Sequence, residues 1–290
     1  MSKDYTRNQH FVPRAYLRFF SYKKKNEYYV KVFDKKINKS FESNINNIAS
    51  FNNFYEVYDH SKNHWENYYS HIESILPIIF NNLIISSKLL PNESKIINED
   101  IKNNLCAIIH MQLLRTRNAR LYFDELGKNV TNNMIDKTEE VLNRLLTEEH
   151  LITLNKYRNN LDFIRYVELD KFNEEKLIKK SQIYLKNKVW IVYKNLNSKE
   201  HPFVTCDNPI IYYNYITGRT GFGHNGIARS ETIIMYPLNR ELLLVLYPEH
   251  LLFGGIKKLS NELIFLNDIP FVIRINKLHY LQSYRQVYYI

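Results

Sequence analysis

The apolar residues in the middle of this chain repeat at a helical spacing, and this repeat limits the possible folds more than any other feature. Large apolar side chains recur every three or four positions at Trp65, Tyr69, Ile72, Leu76, Ile79 and Leu83. Such a stripe is typical of a helix that turns one face to a core, and it predicts a helix over residues 65–90. Helical patterns also cover residues 98–128, 132–157 and 174–187. The sequence therefore predicts a helical middle over about residues 62–187.

Segments typical of β-strands flank this helical middle on both sides. Before it, residues 28–34 and 39–48 predict a hairpin. After it, strands are predicted at residues 189–193, 202–206, 210–214, 232–238 and 241–247. We therefore predict an α+β fold in which β-rich N-terminal and C-terminal portions pack together around the helical middle. The 290 residues are expected to form one domain with the portions 1–60, 61–188 and 189–290.

The N-terminal segment 8–20 is dense in side chains that can do chemistry, including His10 and Tyr16. Pro13 suits the first position of a helix, where its missing N–H costs nothing, so residues 13–20 predict a short helix. His10 then lies close to the N-terminus of that helix, whose partial positive charge keeps the imidazole neutral. A neutral imidazole can accept a proton or bind a metal. Alternatively, His10 caps the first turn or satisfies a buried carbonyl group.

Two polar residues stand on the apolar stripe of the second predicted helix. Gln112 and Arg115 occupy positions where apolar side chains are expected. Burying either group without a partner would cost about 1–3 kcal/mol, so each of them requires one. Arg115, Arg117 and Arg120 together can face a carboxylate or a phosphate. Glu73 on the preceding helix is one candidate carboxylate.

A second polar segment, residues 205–209, follows one of the predicted C-terminal strands. Asp207 and Asn208 stand at the end of this strand, before Pro209. Asp207 can form an Asx turn with its own backbone. Alternatively, its carboxylate and the amide of Asn208 lie at the rim of a sheet and face a ligand or a metal. A metal site built from His10, Glu73 and Asp207 would require convergence across the chain.

Several familiar kinds of site are absent from the sequence. The chain has only 7 glycines and contains neither a Gly-x-Gly-x-x-Gly nor a Walker-type motif, so phosphate-loop nucleotide binding is not expected. It also lacks His-Glu-x-x-His, Gly-x-Ser-x-Gly and the protein-kinase motifs. The 2 cysteines provide neither a disulfide framework nor a zinc-binding spacing. No named reaction follows from these motifs.

Charge and hydropathy bear on partners and location. The net charge of +10 and the isoelectric point near 9.3 permit a polyanionic partner such as nucleic acid, although the lysines are scattered along the chain. The N-terminus lacks an apolar signal region, and no apolar run approaches the roughly 20 residues needed to span a bilayer. We therefore expect a cytoplasmic protein that does not associate with membranes, and the oligomeric state stays open.

The same motifs resemble a bacterial family called domain of unknown function 4238. The resemblance is carried by His10-Phe-Val-Pro-Arg-Ala-Tyr-Leu-Arg-Phe-Phe20, Phe54-Tyr55, His71-Ile72-Glu73, Leu114-Arg-Thr-Arg117 with Arg120, Trp190, Pro202 to Pro209, Tyr236-Pro-Leu238, Asn276 and Arg285. Two positions depart from the family pattern, since Cys206 replaces a usual Ser and Arg117 a frequent Pro. The resemblance implies one family domain over nearly the full length and a site shared by the polar motif residues. It implies no activity.

Our first hypothesis is a nuclease-like hydrolase that acts on nucleic acid, in a toxin or phage-defence setting. The general base would be His10, and Glu73 and Asp207 would act as acids or as ligands of a divalent metal such as Mg²⁺. The proposed substrate-binding residues are Gln9, Tyr16, Arg115 and Asn208.

The alternative hypothesis is a non-catalytic binding or interaction module. In it the same polar residues form a buried network that holds the terminal portions together, with Arg115 paired to Glu73 or to Asp207. Function would then lie in a partner surface elsewhere on the molecule.

Overall fold

The computed structural model describes residues 6–57, 63–172, 174–221, 225–250 and 255–290. The N-terminal portion contains short strands and one short helix: β1 (Asn8–His10), α1 (Arg14–Leu17), β2 (Tyr22–Lys24), β3 (Glu27–Asp34), β4 (Lys39–Asn44) and β5 (Ser50–Asn52). Pro13 immediately precedes α1, and the helix continues as a 3-10 turn, Arg18–Phe20. The predicted short helix and the predicted hairpin of β3 and β4 are both confirmed.

The middle of the chain is helical, as predicted. Its elements are α2 (His64–Leu89), the short strand β6 (Ser94–Lys95), α3 (Glu99–Arg115), α4 (Arg117–Leu142), α5 (Glu148–Tyr157), α6 (Leu161–Phe172) and α7 (Glu175–Lys186). The stripe of residues 65–83 lies within α2, as expected. Helix α6 was not expected from the sequence pattern.

The predicted helix over residues 132–157 is wrong, because it begins inside α4 and is divided between α4 and α5. The predicted helix over residues 98–128 is also wrong, because it is two helices, of which the second, α4, continues to Leu142. Thr116 interrupts it with an extended backbone, ψ 155°, and its hydroxyl accepts a hydrogen bond from the N–H of Ala119. Thr116 therefore caps α4, and because an N-cap residue itself has a non-helical backbone, the helix cannot continue through this position. This break separates Arg115 at the end of α3 from Arg117 at the start of α4.

The C-terminal portion is a sheet with one helix packed beside it. Its elements are β7 (Val189–Asn195), β8 (Thr205–Cys206), β9 (Ile211–Asn214), β10 (Thr232–Pro237), β11 (Leu242–Tyr247), β12 (Glu262–Leu266), α8 (Ile269–Gln282) and β13 (Gln286–Tyr289). The predicted strand over residues 202–206 pairs only at Thr205–Cys206, because the N–H of Val204 bonds instead to the Asn276 side chain.

Three sheets connect these portions. A six-stranded sheet has the order β6-β12-β7-β11-β10-β9, in which only β7 and β12 run parallel. A second sheet has the order β2-β3-β13-β8, with β4 on the other side of β3. Strands β1 and β5 form a separate pair. Because β3 pairs with β13, the second sheet joins the beginning and the end of the described chain.

One hydrophobic core contains residues from all three portions of the chain. Tyr16, Leu76, Leu105, Trp190 and Tyr236 are fully buried in it. The fold is therefore α+β, with a helical middle and β-rich N-terminal and C-terminal portions that pack together. These large buried side chains pack α1, α2 and α3 in one core with β7 and β10.

By length and composition, α2 could cross a membrane, contrary to the expectation from the sequence. Core helices of soluble proteins pass the same test. Leu76, Phe80 and Leu83 of α2 are buried in the core.

Candidate functional site

Arg115, the last residue of α3, is the centre of a buried polar network. Its side chain is fully enclosed. Its Nε donates to the Tyr55 hydroxyl at 2.8 Å, its Nη2 donates to the backbone carbonyl of His10 at 2.6 Å, and its Nη1 donates to the carboxylate of Glu73. The prediction that this polar residue on an apolar stripe needs partners is confirmed.

Aromatic rings enclose the same guanidinium. It lies 5.2 Å from the ring centroid of Tyr55 and 4.8 Å from that of Tyr69. Burial by itself would lower the pKa of Arg115, but Tyr55 and Glu73 outweigh that effect and hold the pKa above its ordinary value. The arginine is therefore a permanent buried cation, and the groups around it neutralise and saturate it.

His10 lies next to this network with its ring buried. Nε2 is 3.3 Å from the Ile45 carbonyl, and because a carbonyl can only accept, the neutral ring carries its hydrogen on Nε2. Burial is the main cause that lowers the pKa of His10 to about 4, and the bond to Ile45 opposes it only in part. The low pKa supports the neutral imidazole expected from the sequence, with burial as its largest cause.

The amide of Gln9 joins the network to the segment that follows β5. Its Oε1 accepts from the N–H of Tyr55 at 2.7 Å, and its Nε2 donates to Glu56 at 2.8 Å. Gln112 bonds in a similar way to the backbone carbonyl of Phe11 at 3.2 Å. Gln9 and Gln112 are fully buried, so these amides fasten backbone segments to one another.

Tyr16 is held apart from these residues, inside the main core. Its hydroxyl donates to the carbonyl of Pro237 at 2.9 Å and lies 2.8 Å from the hydroxyl oxygen of Thr205. Its ring stacks on that of Tyr236, with centroids 5.2 Å apart. The hydroxyl that the sequence proposed for substrate binding thus connects α1 to β8 and β10.

Asp207 holds the segment that leads into β13. Its carboxylate accepts three backbone N–H groups, from Tyr284 at 2.8 Å, Arg285 at 2.7 Å and Gln286 at 2.8 Å. Burial raises the pKa of Asp207 to about 6, while the three hydrogen bonds act in the opposite direction. The carboxylate therefore bonds to a distant segment, and the Asx turn considered from the sequence is not the arrangement found.

Asn208 sits beside this carboxylate and is also buried. Its carbonyl accepts from the side chain of Gln282 at 3.3 Å, and its own N–H contacts the sulfur of Cys206 at 3.4 Å. The structure thus brings His10, Gln9, Glu73 and Arg115 together, and it places Tyr16 and the pair Asp207 and Asn208 in separate buried sets of contacts. Within the described ranges, no group of three or more His, Cys, Asp or Glu side chains is arranged to hold a metal ion.

A different set of residues is exposed where the three portions of the chain meet. Arg117, just after the break at Thr116, lies 5.5 Å from the ring centroid of Phe51 and 4.5 Å from that of Tyr284. Phe51 is 54% exposed and Tyr284 is 39% exposed. A guanidinium between two exposed rings is attracted by both, by about 0.5–1 kcal/mol for each at such a site.

Lys35 and Tyr280 extend this surface. The Nζ of Lys35 lies 5.1 Å from the ring centroid of Tyr280 and donates to the backbone carbonyl of Ser283 at 2.8 Å, next to Tyr284. Tyr280 is 44% exposed. We name the set the aromatic–cation strip: Phe51, Arg117, Tyr284, Lys35 and Tyr280. Among the residues that the structure describes, neither Arg117 nor Lys35 forms an ion pair with a carboxylate.

An arginine-lined pocket of about 280 Å³ adjoins the strip at Phe51 and Arg117. Inside it, Arg165 forms a two-pronged contact with Asp124, at 3.1 and 2.9 Å. Arg120 is less well neutralised, because its Nε lies 3.6 Å from a Glu168 oxygen without a hydrogen bond. Burial raises the pKa of Glu168 to about 7, so this carboxyl carries only part of a charge at neutral pH. The pocket therefore has an excess of positive charge.

Sequence reasoning identified Arg117 and Arg120 as anion-binding candidates but missed the aromatic members of the strip. Phe51 is separated from Tyr280 and Tyr284 by more than two hundred residues of the sequence. These rings and cations form one surface only after the fold has brought the distant segments together.

Comparison with known proteins gives one match. A family model with the description "Protein of unknown function (DUF4238)" matches residues 8–290, which confirms the resemblance drawn from the sequence motifs. No curated protein and no solved structure matches the chain.

Proposed function

This chain belongs to the DUF4238 family, whose description assigns no activity, and we propose that it is a non-catalytic module that binds single-stranded nucleic acid along the aromatic–cation strip. The observation that carries the proposal is the position of Arg117 between the exposed rings of Phe51 and Tyr284.

The chemistry of the strip fits a single strand. Every base has a π-face, so an exposed ring can stack on it without regard to sequence, at about 1–3 kcal/mol per base. Arg117 and Lys35 have no carboxylate partner among the described residues. Lys35 donates to the carbonyls of Tyr280 and Ser283, and its ammonium has one further N–H for a phosphate. The net charge of +10 adds a general attraction for a polyanion. A duplex would offer its phosphates but not its base faces, so a preference for single strands is expected.

The buried polar residues support this proposal through the positions that they hold. Gln9 of β1 pairs with Phe51 of β5. Arg115 anchors the end of α3 two residues before Arg117. Asp207 binds the N–H of Tyr284 at 2.8 Å. Each of these three motif residues therefore fixes the backbone beside one member of the strip. On this basis the alternative reading of the sequence, a binding module with a structural polar network, is the better supported one.

Fluorescence anisotropy with labelled oligonucleotides of about 12 nucleotides tests the proposal, because known single-strand sites span about 4–16 nucleotides. We expect Arg117→Ala and Tyr284→Ala each to weaken binding by about tenfold, from the loss of one phosphate contact or one stacked base. Matched controls are Arg144→Ala and Tyr157→Ala, which remove an exposed arginine and an exposed tyrosine from the helical middle.

Binding should weaken as the salt concentration increases. In a plot of the logarithm of the binding constant against the logarithm of the salt concentration, the slope should be about −0.7 for each phosphate contacted on a single strand. Parallel measurements with RNA, DNA and duplex DNA distinguish the kinds of strand. The proposal is wrong if the protein does not bind at low salt, or if the control variants weaken binding as much as the strip variants.

Hydrolysis of nucleic acid is a second candidate function, and one observation favours it. Glu66 is near Arg115 and Glu73, one of its oxygens is buried without a hydrogen-bond partner among the described residues, and burial raises its pKa. His10 as general base, together with the Glu66 carboxyl of raised pKa beside Arg115 and Glu73, could serve acid–base chemistry.

Incubation with labelled RNA and DNA, with and without Mg²⁺, tests this second candidate. Cleavage that is lost in His10→Ala would support it and would fit a toxin or phage-defence setting. If no cleavage occurs, or if His10→Ala cleaves as well as the wild type, the candidate is rejected. We propose a cytoplasmic location without membrane association for either function.

A further inference from the structure

A second cavity, of about 540 Å³, lies between α3, α7 and the segment 225–229. Its volume is within the range of about 300–1,000 Å³ that small-molecule sites occupy. The walls combine aliphatic side chains such as Leu113 and Ile227 with the rings of Tyr122 and Tyr184. None of the strip residues lines this cavity.

Ser181 is an unusual residue for its position in the cavity wall. It lies on the inner face of α7, four residues after Leu177 and four before Leu185, where an apolar side chain is expected. The residue is buried, and its hydroxyl has no hydrogen-bond partner in the described part of the chain. A serine inside a helix can donate to the carbonyl four residues earlier, but the Ser181 hydroxyl does not. It is therefore available to donate to a ligand in the cavity.

Asn225 provides a second unsatisfied group on the opposite wall. Its Nδ2 donates to the carbonyls of Arg219 at 3.1 Å and Gly221 at 3.4 Å, which fixes the orientation of the amide. Its Oδ1 is buried and lacks a partner among the residues described. Buried polar atoms without partners are rare, because each costs about 1–3 kcal/mol. Two of them on the lining of one cavity indicate a missing polar molecule.

The charges of the lining have one sign. Lys180 and Arg229 are the exposed cations, and no carboxylate is found among the described lining residues. Lys188 fixes the backbone near Arg229, since its Nζ donates to the Thr232 carbonyl at 2.9 Å and lies 3.5 Å from the carbonyl of Arg229. The backbone that carries Arg229 at the cavity is therefore held in place by Lys188, independently of any ligand.

We propose that this cavity binds a small organic anion with an aromatic body. The rings and aliphatic side chains would enclose the body, Ser181 and Asn225 would contact polar atoms on it, and Lys180 and Arg229 would hold the anionic group. This site is independent of nucleic-acid binding, because it shares no residue with the aromatic–cation strip.

The probe for a direct test is 8-anilinonaphthalene-1-sulfonate, an aromatic sulfonate, with N-phenyl-1-naphthylamine as its uncharged counterpart. Isothermal titration with the full chain should show one site for the sulfonate and binding at least about tenfold weaker for the amine. The double variant Lys180→Ala/Arg229→Ala should bind the sulfonate about tenfold more weakly, since it removes two exposed ion pairs. Ser181→Leu should also reduce binding, by filling the cavity.

Lys179→Ala is the matched control, because Lys179 is the exposed neighbour of Lys180 and does not line the cavity. It should bind the sulfonate like the wild type. The proposal is overturned if the sulfonate does not bind at a single site, if the amine binds equally well, or if the double variant and the control bind alike. Thermal melts of the variants verify that each one is folded.

Discussion

The effect of Arg115→Ala on stability distinguishes a structural role of the buried polar network from a catalytic role. The substitution removes the donors to the Tyr55 hydroxyl and the His10 carbonyl, and it leaves Glu73 without its cation. Tyr55 and the backbone of His10 stay buried and keep the hydrogen bond from the Tyr55 hydroxyl to the His10 carbonyl at 3.1 Å, but they cannot replace the lost bonds with bonds to solvent. Glu73 is 25% exposed and can recover part of its hydration.

The expected loss follows from these contacts. Removing one partner of a buried ion pair costs about 3–5 kcal/mol, and here Glu73 loses its cation while the Tyr55 hydroxyl and the His10 carbonyl each lose one donor. For a chain of this length, 1 kcal/mol corresponds to about 2 °C in Tm, so Tm should fall by about 6–10 °C. Glu73→Gln keeps the shape and one hydrogen bond, and its loss should be smaller, about 1–2 kcal/mol.

Urea denaturation and thermal melts followed by circular dichroism measure both variants. Arg117→Ala is the matched control, because it removes an arginine two residues away that contacts the exposed rings of Phe51 and Tyr284, and it should cost only about 1–2 kcal/mol. A residue kept for catalysis at the expense of stability would behave differently, since its removal leaves stability unchanged or raises it. If Arg115→Ala unfolds at or above the wild-type temperature, the structural reading of the network is refuted.

Three further substitutions test other contacts. Asp207→Asn should lower the free energy of unfolding by about 2–4 kcal/mol, because the amide NH₂ replaces one of the two carboxylate oxygens that accept the three backbone N–H groups, and an NH₂ group accepts none. Asp170→Asn, at an exposed site, should change this free energy little. Burial raises the pKa of Glu168 to about 7. Between pH 4.5 and 7 the folded protein therefore keeps the proton on Glu168, while the unfolded chain releases it. The wild type should lose stability relative to Glu168→Gln as the pH rises through this range. Gly127→Ala would normally stabilise a helix, but here the added methyl group collides with Ile164 of α6, and we expect a net loss of about 1–3 kcal/mol.

Urea denaturation at fixed pH measures the first and third changes, and a pH series measures the second. The reasoning fails for Asp207 if the Asn variant is as stable as the wild type, and for Glu168 if the stability difference is constant between pH 4.5 and 7. For Gly127, an alanine variant more stable than the wild type would show that Ile164 moves aside at no cost.

Local sequence patterns predicted the elements of this fold wherever the buried apolar residues repeat with a single helical or strand period. The apolar stripe that begins at Trp65 predicted α2, and β3 and β4 followed from their strand-like residues. The same reasoning joined α3 to α4, because the helical pattern continues across Thr116 and a threonine can either extend a helix or cap the next one. Which of the two occurs depends on tertiary contacts that no local pattern contains.

The site was predictable only in part, for a related reason. Gln112 and Arg115 interrupt an apolar stripe, and that local irregularity correctly indicated buried partners. Asp207 carries no such signal, since the N–H groups that it binds lie 77 to 79 residues further along the chain. The exposed rings of the strip likewise look like ordinary surface residues until the fold brings them beside Arg117.

The pairing of β3 with β13 also has a consequence for biosynthesis. The side chains of Asp34 and Gln286 meet across 252 residues of chain, so a ribosome must deliver nearly all of that length before the two strands can join. Until then β3 has an open edge over residues 31–34, which is the kind of edge that other chains can pair with. The nascent protein would therefore be open to wrong strand pairing at β3 throughout the synthesis of the residues between β3 and β13, and Tyr284 would reach Arg117 only when that interval ends.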